Sequence, residues 1–267
     1  MASQPMFSNI PKIHEVKHMR DMESPIVTSK APYAPIRLTE PTTCGYIHLA
    51  AEVQPRAVPV LPNRRDKSAL LTRLKIDARQ IEALDTVARV TIFDSLGYSP
   101  LSPYLNKRQA SIQVARFDVV VLIETISPAA TSDVQATPAY QALMMTLGSK
   151  AKDIHAMSAH TSKRMGDVDT TKQGLFRFNY FVADDAAVMV ELWESLAEWY
   201  AVEAKLTNAI LLAPLDGEQS RYVAIDLARL DERFLGRQLS QKSYKAFVQA
   251  TLEANRVGAM RVLYRLA

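Results

Sequence analysis

Near the N-terminus, His14-Glu15-Val16-Lys17-His18 matches the pattern H-E-x-x-H. On a helix, two histidines one turn apart can hold zinc while the glutamate acts as a general base. The surroundings argue against that chemistry. No strand precedes the match to pack such a helix, and no G-x-x-H extension follows it. Asp21 or Glu23 reaches a third-ligand position only by stretching the spacing, so no metal site is assigned. His155 and His160 fall on one expected strand at a spacing that puts them on opposite faces, so they cannot share a metal. His48 shares a strand face with Tyr46 and Glu52, a solvated or barrel-lining face. Imidazole titrates near neutrality, which makes His48 a candidate proton shuttle. Cys44 is the single cysteine; it rules out an intrachain disulfide and has no basic partner in sequence to make it a nucleophile.

A second group lies towards the C-terminus. In Leu175–Ala183, alternation puts Phe176, Phe178 and Tyr180 on one face and Arg177, Asn179 and Phe181 on the other. In the stretch 222–230, Tyr222, Ala224, Asp226 and Ala228 share a face; in 260–266, Arg261, Leu263 and Arg265 do. Arg177, Asn179, Asp226 and Arg261 can therefore line one sheet face. There they either pair with one another as barrel filler or hold an anionic, phenolate-like ligand. Trp193 and Trp199 lie on a helix, where aromatics at helical spacing serve the core or form a ligand wall.

Other classes of chemistry are excluded. The eight glycines are at 45, 97, 148, 166, 174, 217, 236 and 258. A dinucleotide fingerprint and a P-loop need closely spaced glycines so that backbone can approach phosphate, and both are absent. So is the nucleophile elbow G-x-S-x-G. The net charge of +4 is scattered, without a basic block, so no nucleic-acid partner is expected. No apolar run is long enough to span a membrane, and no signal or transit peptide is recognisable, which suggests a cytoplasmic protein.

The elements that must position these groups follow a repeated order. Residues 1–43 lack glycine, carry Pro5, Pro11, Pro25, Pro32, Pro35 and Pro41, and read as an extended or disordered arm that could dock a second copy as a homodimer. Residues 44–165 then read β-α-β-β-α-β: strand 46–53, a helix capped by Asp66, strand 87–96, a buried strand in the β-branched run 117–123 within 112–125, a helix opened by Thr137-Pro138, and strand 154–161. Residues 174–267 repeat the order: strand 175–183, a helix capped by Asp184 or Asp185, strand 209–215, a turn at Asp216-Gly217, strand 222–230, a helix capped by Ser240, and strand 260–266. The expected fold is α+β, two tandem ferredoxin-like units forming an intrachain α+β barrel.

The second unit resembles the antibiotic-biosynthesis-monooxygenase-like members of the dimeric α+β-barrel superfamily. The matching stretch is the strand 222–230, a short link, and Gln238-Leu-Ser-Gln-Lys-Ser-Tyr-Lys-Ala-Phe247. Leu230 stands where that group has tryptophan, and no histidine occurs after residue 160. The resemblance implies a small-molecule enzyme of secondary metabolism: a cofactor-free monooxygenase or cyclase acting on an aromatic or polyketide-like substrate. It implies that Asn179 and Arg177 orient or stabilise an enolate and that Tyr222 and His48 move protons. Trp193 and Trp199, with Phe178, Tyr180 and Tyr244, would wall the pocket. Tandem haem-binding members use a histidine of the second unit, which this chain lacks; haem on His48 or His155 is the minor alternative. A non-catalytic binding or assembly protein using the same barrel is the other reading.

Overall fold

A computed structural model describes residues 36–54, 65–230 and 244–267. Residues 1–35, with the H-E-x-x-H match and most of the arm, lie outside the described residues, as does the expected cap Ser240.

Eight strands close into one antiparallel barrel. They are β1 (Gly45–Glu52), β2 (Val87–Tyr98), β3 (Val119–Thr125), β4 (Asp153–Arg164), β5 (Leu175–Ala183), β6 (Ile210–Pro214), β7 (Ala224–Leu230) and β8 (Val257–Leu266). The order around the barrel is β1-β3-β2-β8-β5-β7-β6-β4, and β4 pairs back to β1. Strands β4-β1-β3-β2 form one half and β8-β5-β7-β6 the other. Both halves thus have the ferredoxin-like strand order, and they join at the β2–β8 and β4–β6 seams. The fold is the expected α+β barrel closed within one chain.

Helices cover the outside. In the first half these are α1 (Arg65–Glu82), α3 (Ala130–Gln135) and α4 (Pro138–Gly148), with the short α2 (Pro103–Arg108) packed against β8. The second half is covered by α5 (Ala186–Glu203) and by a π-helical turn, Tyr244–Gln249, that runs into α6 (Ala250–Ala254). Local chemistry sets the helix starts. The Thr137 hydroxyl accepts from Tyr140 N at 3.2 Å ahead of Pro138, and the Asp185 carboxylate accepts from Ala187 N at 2.8 Å. Asp66 lies within the first turn of α1 rather than capping it. Gly217, at φ +81°, makes the turn between β6 and β7.

The strand expected in the run 117–123 is present, with Val119–Thr125 joining the ladder. The Asp118 carboxylate accepts from Val53 N and Gln54 N, at 2.6 and 2.9 Å. Ala115 and Phe117, just upstream, pack into the barrel core.

Helices outside and side chains inside bury both faces of β1, β3 and β5 almost throughout, whereas β2, β4 and β8 keep partly exposed positions. The lumen holds rings, among them Phe93, Phe117, Phe176, Phe178, Tyr180, Tyr222 and Tyr264. Leu70, Leu74, Ile81, Leu143 and Leu147 seal the first helix layer, and Met189, Leu192, Trp193, Leu196 and Trp199 seal the second. No helix among the described residues is long and apolar enough to cross a membrane.

Candidate functional site

Strand β5 divides the candidate residues between two sides of the sheet. Phe178 and Tyr180 point into the lumen; Arg177 and Asn179 point outwards beneath α5. Tyr222 precedes β7 and lies on the lumen side with Phe117 and His155, not on the face of Asp226. His48 is also in the lumen, against Phe178 and Tyr180. The structure thus brings Arg177, Asn179, Asp226, Trp193, Arg261 and Tyr244 together on one side. His48, Tyr222, Phe178 and Tyr180 sit on the other, with His155.

The helix-side group is organised by register. Asn179 lies directly opposite Asp226 on β7 and Arg261 on β8, so three polar residues form a row across three strands. Arg177, two residues along β5, reaches Asp226 diagonally. The Asp226 carboxylate is fully engaged. Its Oδ2 accepts from Arg177 Nη2 at 2.7 Å and from Asn179 Nδ2 at 2.9 Å, and its Oδ1 accepts from Trp193 Nε1 at 3.3 Å. The Arg177 guanidinium stacks over Tyr200 at 4.3 Å. Arg261 Nη2 donates to the Tyr200 and Tyr244 hydroxyls, at 3.1 and 2.8 Å. Burial, ahead of the neighbouring charges, pushes the Tyr200 hydroxyl up to about 12, so it stays protonated.

These residues enclose a cavity of about 20 Å³, counting the space open to a water's centre, which is room for about one water. Arg177 is 1% exposed, and its Nε and Nη1 have no hydrogen-bond partner. Asn179 Oδ1 has none either. Met165, Phe181, Leu196, Ala197, Leu206 and Val248 complete a largely apolar wall. Buried guanidinium donors in such a setting leave free energy unrealised until an acceptor arrives. Trp199 is fully buried behind this wall and does not line the cavity.

The lumen group is chemically quiet. Tyr264 donates to Phe117 O at 2.8 Å, Tyr180 lies 3.3 Å from Tyr264, and His48 Nε2 lies 3.4 Å from Tyr180. With Tyr264 committed as donor, Tyr180 donates to it and accepts from His48 Nε2–H, which fixes the tautomer by inference. Burial, then the neighbouring His155, holds His48 well below its usual range; burial, then Arg221, brings His155 down to about 4. Burial raises Tyr180, Tyr222 and Tyr264. Near neutral pH the whole set is uncharged.

Neither side fits haem. The helix-side cavity has no histidine or cysteine in its wall, and both its tyrosine hydroxyls bind Arg261. His48 and His155 are boxed in by rings. Among the described residues, no three His, Cys, Asp or Glu cluster as metal ligands.

One buried charge cluster escaped the reading of the sequence. Lys67 of α1 reaches Asp94 at 2.7 Å and Asp118 at 2.9 Å, all nearly inaccessible, and Arg265 adds a contact to Asp94 at 3.1 Å. The signal was present: Lys67 continues the apolar stripe of Leu70, Leu71 and Leu74.

No protein-family model matches the sequence, and no curated protein matches it significantly. Solved structures do. The chain is similar to an anthrone oxidase-like protein, with 12% identity and a TM-score of 0.56 over 87% of this chain and 94% of that one. It is also similar to a protein provisionally assigned as a monooxygenase from Fusobacterium nucleatum, with 9% identity and a TM-score of 0.51 over 84% and 93% of the two chains. A chlorite dismutase variant of Candidatus Nitrospira defluvii aligns at a TM-score of 0.46 and 12% identity, over 86% and 92%. At these identities the likeness is one of fold: an eight-stranded α+β barrel, here with both halves supplied by one chain.

Proposed function

We propose that the cavity beneath α5 binds a small aromatic anion and that the protein is a small-molecule oxygenase working without a bound metal. The carrying observation is the buried Arg177 guanidinium in its wall, with two nitrogens lacking partners beside the equally unpartnered Asn179 Oδ1. An oxyanion accepts from the first, as an ionised phenol or enol does, and a ring hydroxyl, where the substrate carries one, donates to the second. Arg177 and Asn179 thus keep the roles the resemblance implied, orienting and stabilising the anion, and Trp193 is part of the wall.

The same geometry limits the chemistry. Both Asp226 oxygens are occupied, so Asp226 is a poor base, and His48 and Tyr222 lie across the sheet. The substrate must therefore ionise readily and arrive as its anion. Anthrone is a fitting probe, because its enol form is acidic, planar and apolar. Its oxidation balances as one anthrone plus one dioxygen giving one anthraquinone and one water. The methylene carbon becomes a ketone, one oxygen atom enters it, and the other leaves as water. Arg177 stabilises the oxyanion through which electrons flow to oxygen.

The test follows dioxygen uptake and anthraquinone absorbance with purified protein. Arg177→Gln is expected to lower turnover at least 100-fold with the fold intact by circular dichroism. Turnover equal in wild type and R177Q overturns the assignment. Occupation of Asp226 also favours a second reading, binding without turnover. Saturable, Arg177-dependent binding with no oxygen uptake would decide for it.

A further inference from the structure

A second cavity lies at the end of the barrel where β1 begins and β3 ends. It holds about 340 Å³ by the same measure as the cavity beneath α5, within the range of small-molecule pockets. It lies on the lumen side of the sheet and shares no lining residue with the Arg177 site. Its floor is Leu122, Ile210 and Leu227, which belong to the lumen core. Its roof is Asp167–Thr171, part of the link from β4 to β5 that joins the two halves.

Register builds the polar wall. Glu124 on β3 lies directly opposite Arg89 on β2 and Tyr46 on β1, so the three form a row across three strands. Opposite charges placed this way on neighbouring strands are close enough to pair. Arg89 and Glu124 do not. Arg89 Nη1 instead donates to Thr170 Oγ1 in the roof at 3.2 Å, and the Thr91 hydroxyl lies 3.2 Å from the same oxygen. Tyr46 OH reaches Glu124 Oε1 only at 3.4 Å. Both charged residues are half-buried.

The other charges around the cavity are matched. Arg164 Nη1 meets Asp167 Oδ1 at 2.7 Å, and Asp169 lies 3.5 Å from Lys172 and 3.6 Å from Arg229. Of the charged residues lining the cavity, Arg89 and Glu124 alone make no ion pair among the described residues. The Tyr46 hydroxyl and the Cys44 thiol beside Glu124 are both raised, by burial first and by Glu124 second, and stay neutral.

One cation and one anion thus face the cavity from adjacent strands. A simple anion on Arg89 would be repelled by Glu124, and a simple cation on Glu124 by Arg89. A molecule carrying both charges satisfies both. The guanidinium presents paired donors suited to a carboxylate, and Glu124 with the Tyr46 oxygen offers acceptors to an ammonium. The apolar floor suits a hydrocarbon side chain.

We infer that this cavity is a binding site for a small zwitterion, an α-amino acid with an apolar side chain. Its carboxylate takes the place of the Thr170 hydroxyl on Arg89, its ammonium binds Glu124, and its side chain lies on Leu122, Ile210 and Leu227. The site stands independently of the one beneath α5.

Calorimetry on the full chain at neutral pH tests this with L-leucine, L-methionine and L-phenylalanine as probes. At least one is expected to bind saturably, at one site per chain. Two analogues of that probe each carry a single charge: its amide lacks the carboxylate, and its N-acetyl derivative lacks the ammonium. Each should bind at least roughly tenfold more weakly, since each leaves one charged group of the wall unmatched. Glu124→Gln should weaken the amino acid by a similar factor without weakening the N-acetyl derivative. Arg89→Gln should weaken the amino acid without weakening the amide. No saturable heat from any of the three probes, equal affinity for a probe and either analogue, or binding indifferent to either substitution overturns the inference. If a variant unfolds, the comparison of analogues on the wild type decides alone.

Discussion

Asp226 faces Asn179 directly across the β5–β7 ladder, yet its ion pair comes from Arg177, two residues along the same strand, at 2.7 Å. Both charged groups are almost wholly removed from water. Removing one partner of such a pair leaves a buried charge alone, which costs about 3–5 kcal/mol. Replacing both with apolar side chains of similar volume is close to neutral. Urea denaturation of D226N should show the full loss, and the double variant R177M/D226L should recover only part of it, because Asn179 Nδ2 and Trp193 Nε1 lose their acceptor. A double variant as unstable as D226N would mean that the pair itself, not its charge balance, supports the barrel.

Lys67 makes a complementary prediction. It bridges Asp94 and Asp118 where neither carboxylate meets water. In Lys67→Met the two carboxylates stay buried with less compensation, so the variant should lose about 3 kcal/mol at pH 7. Urea midpoints of the two proteins at pH 7 check this, and equal midpoints count against it.

His155 makes the stability of the barrel depend on pH. Its value falls from the ordinary 6.5 to about 4, through burial first and the charge of Arg221 second, with Asp153 opposing. The unfolded chain takes up this proton near pH 6.5 and the folded one only near pH 4. The contribution is therefore present above pH 6.5 and is lost as pH falls towards 4, in total about 3 kcal/mol. His48, lowered in the same direction, adds to the loss. His155→Phe should flatten the decline in stability between pH 6.5 and 4.5. An unchanged slope would assign the effect elsewhere.

Gly45 opens β1 where a Cβ would meet Ser127 O at 2.5 Å and Pro128 Cα at 2.6 Å. Both atoms are backbone and cannot rotate aside. Gly45→Ala should cost about 1–3 kcal/mol, the range for overpacking. A thermal melt matching wild type would show that the loop after β3 yields.

Much of the barrel was legible in the sequence, and the reasons differ by element. Leu175–Ala183 was placed to the residue because its alternation of Phe176, Phe178 and Tyr180 with Arg177 and Asn179 has one plausible register. Alternation also separated the residues that now lie on opposite sides of β5. It could not tell which side was lumen, because in a closed, helix-covered barrel both faces are dry and hydrophobicity no longer discriminates. That ambiguity joined Phe178 and Tyr180 to the tryptophans in one expected wall. Phe117 opens the β-branched run 117–123, yet it is buried among the rings of the lumen and lies outside the ladder of β3. Lys67 was visible on its helix stripe, while its partners Asp94 and Asp118 depend on tertiary contact that no local pattern carries.

The β2–β8 seam has a consequence for how the protein is made. Strand β8 is last in chain order, yet it pairs with both β5 and β2. On the ribosome every other strand emerges first. Until residues 257–266 appear, β2 and β5 each present an unpaired edge and the ring-filled lumen stands open to water. Such edges recruit other chains. The interval before the last strand arrives is therefore when a nascent copy is most exposed to aggregation, and chaperone demand should concentrate there.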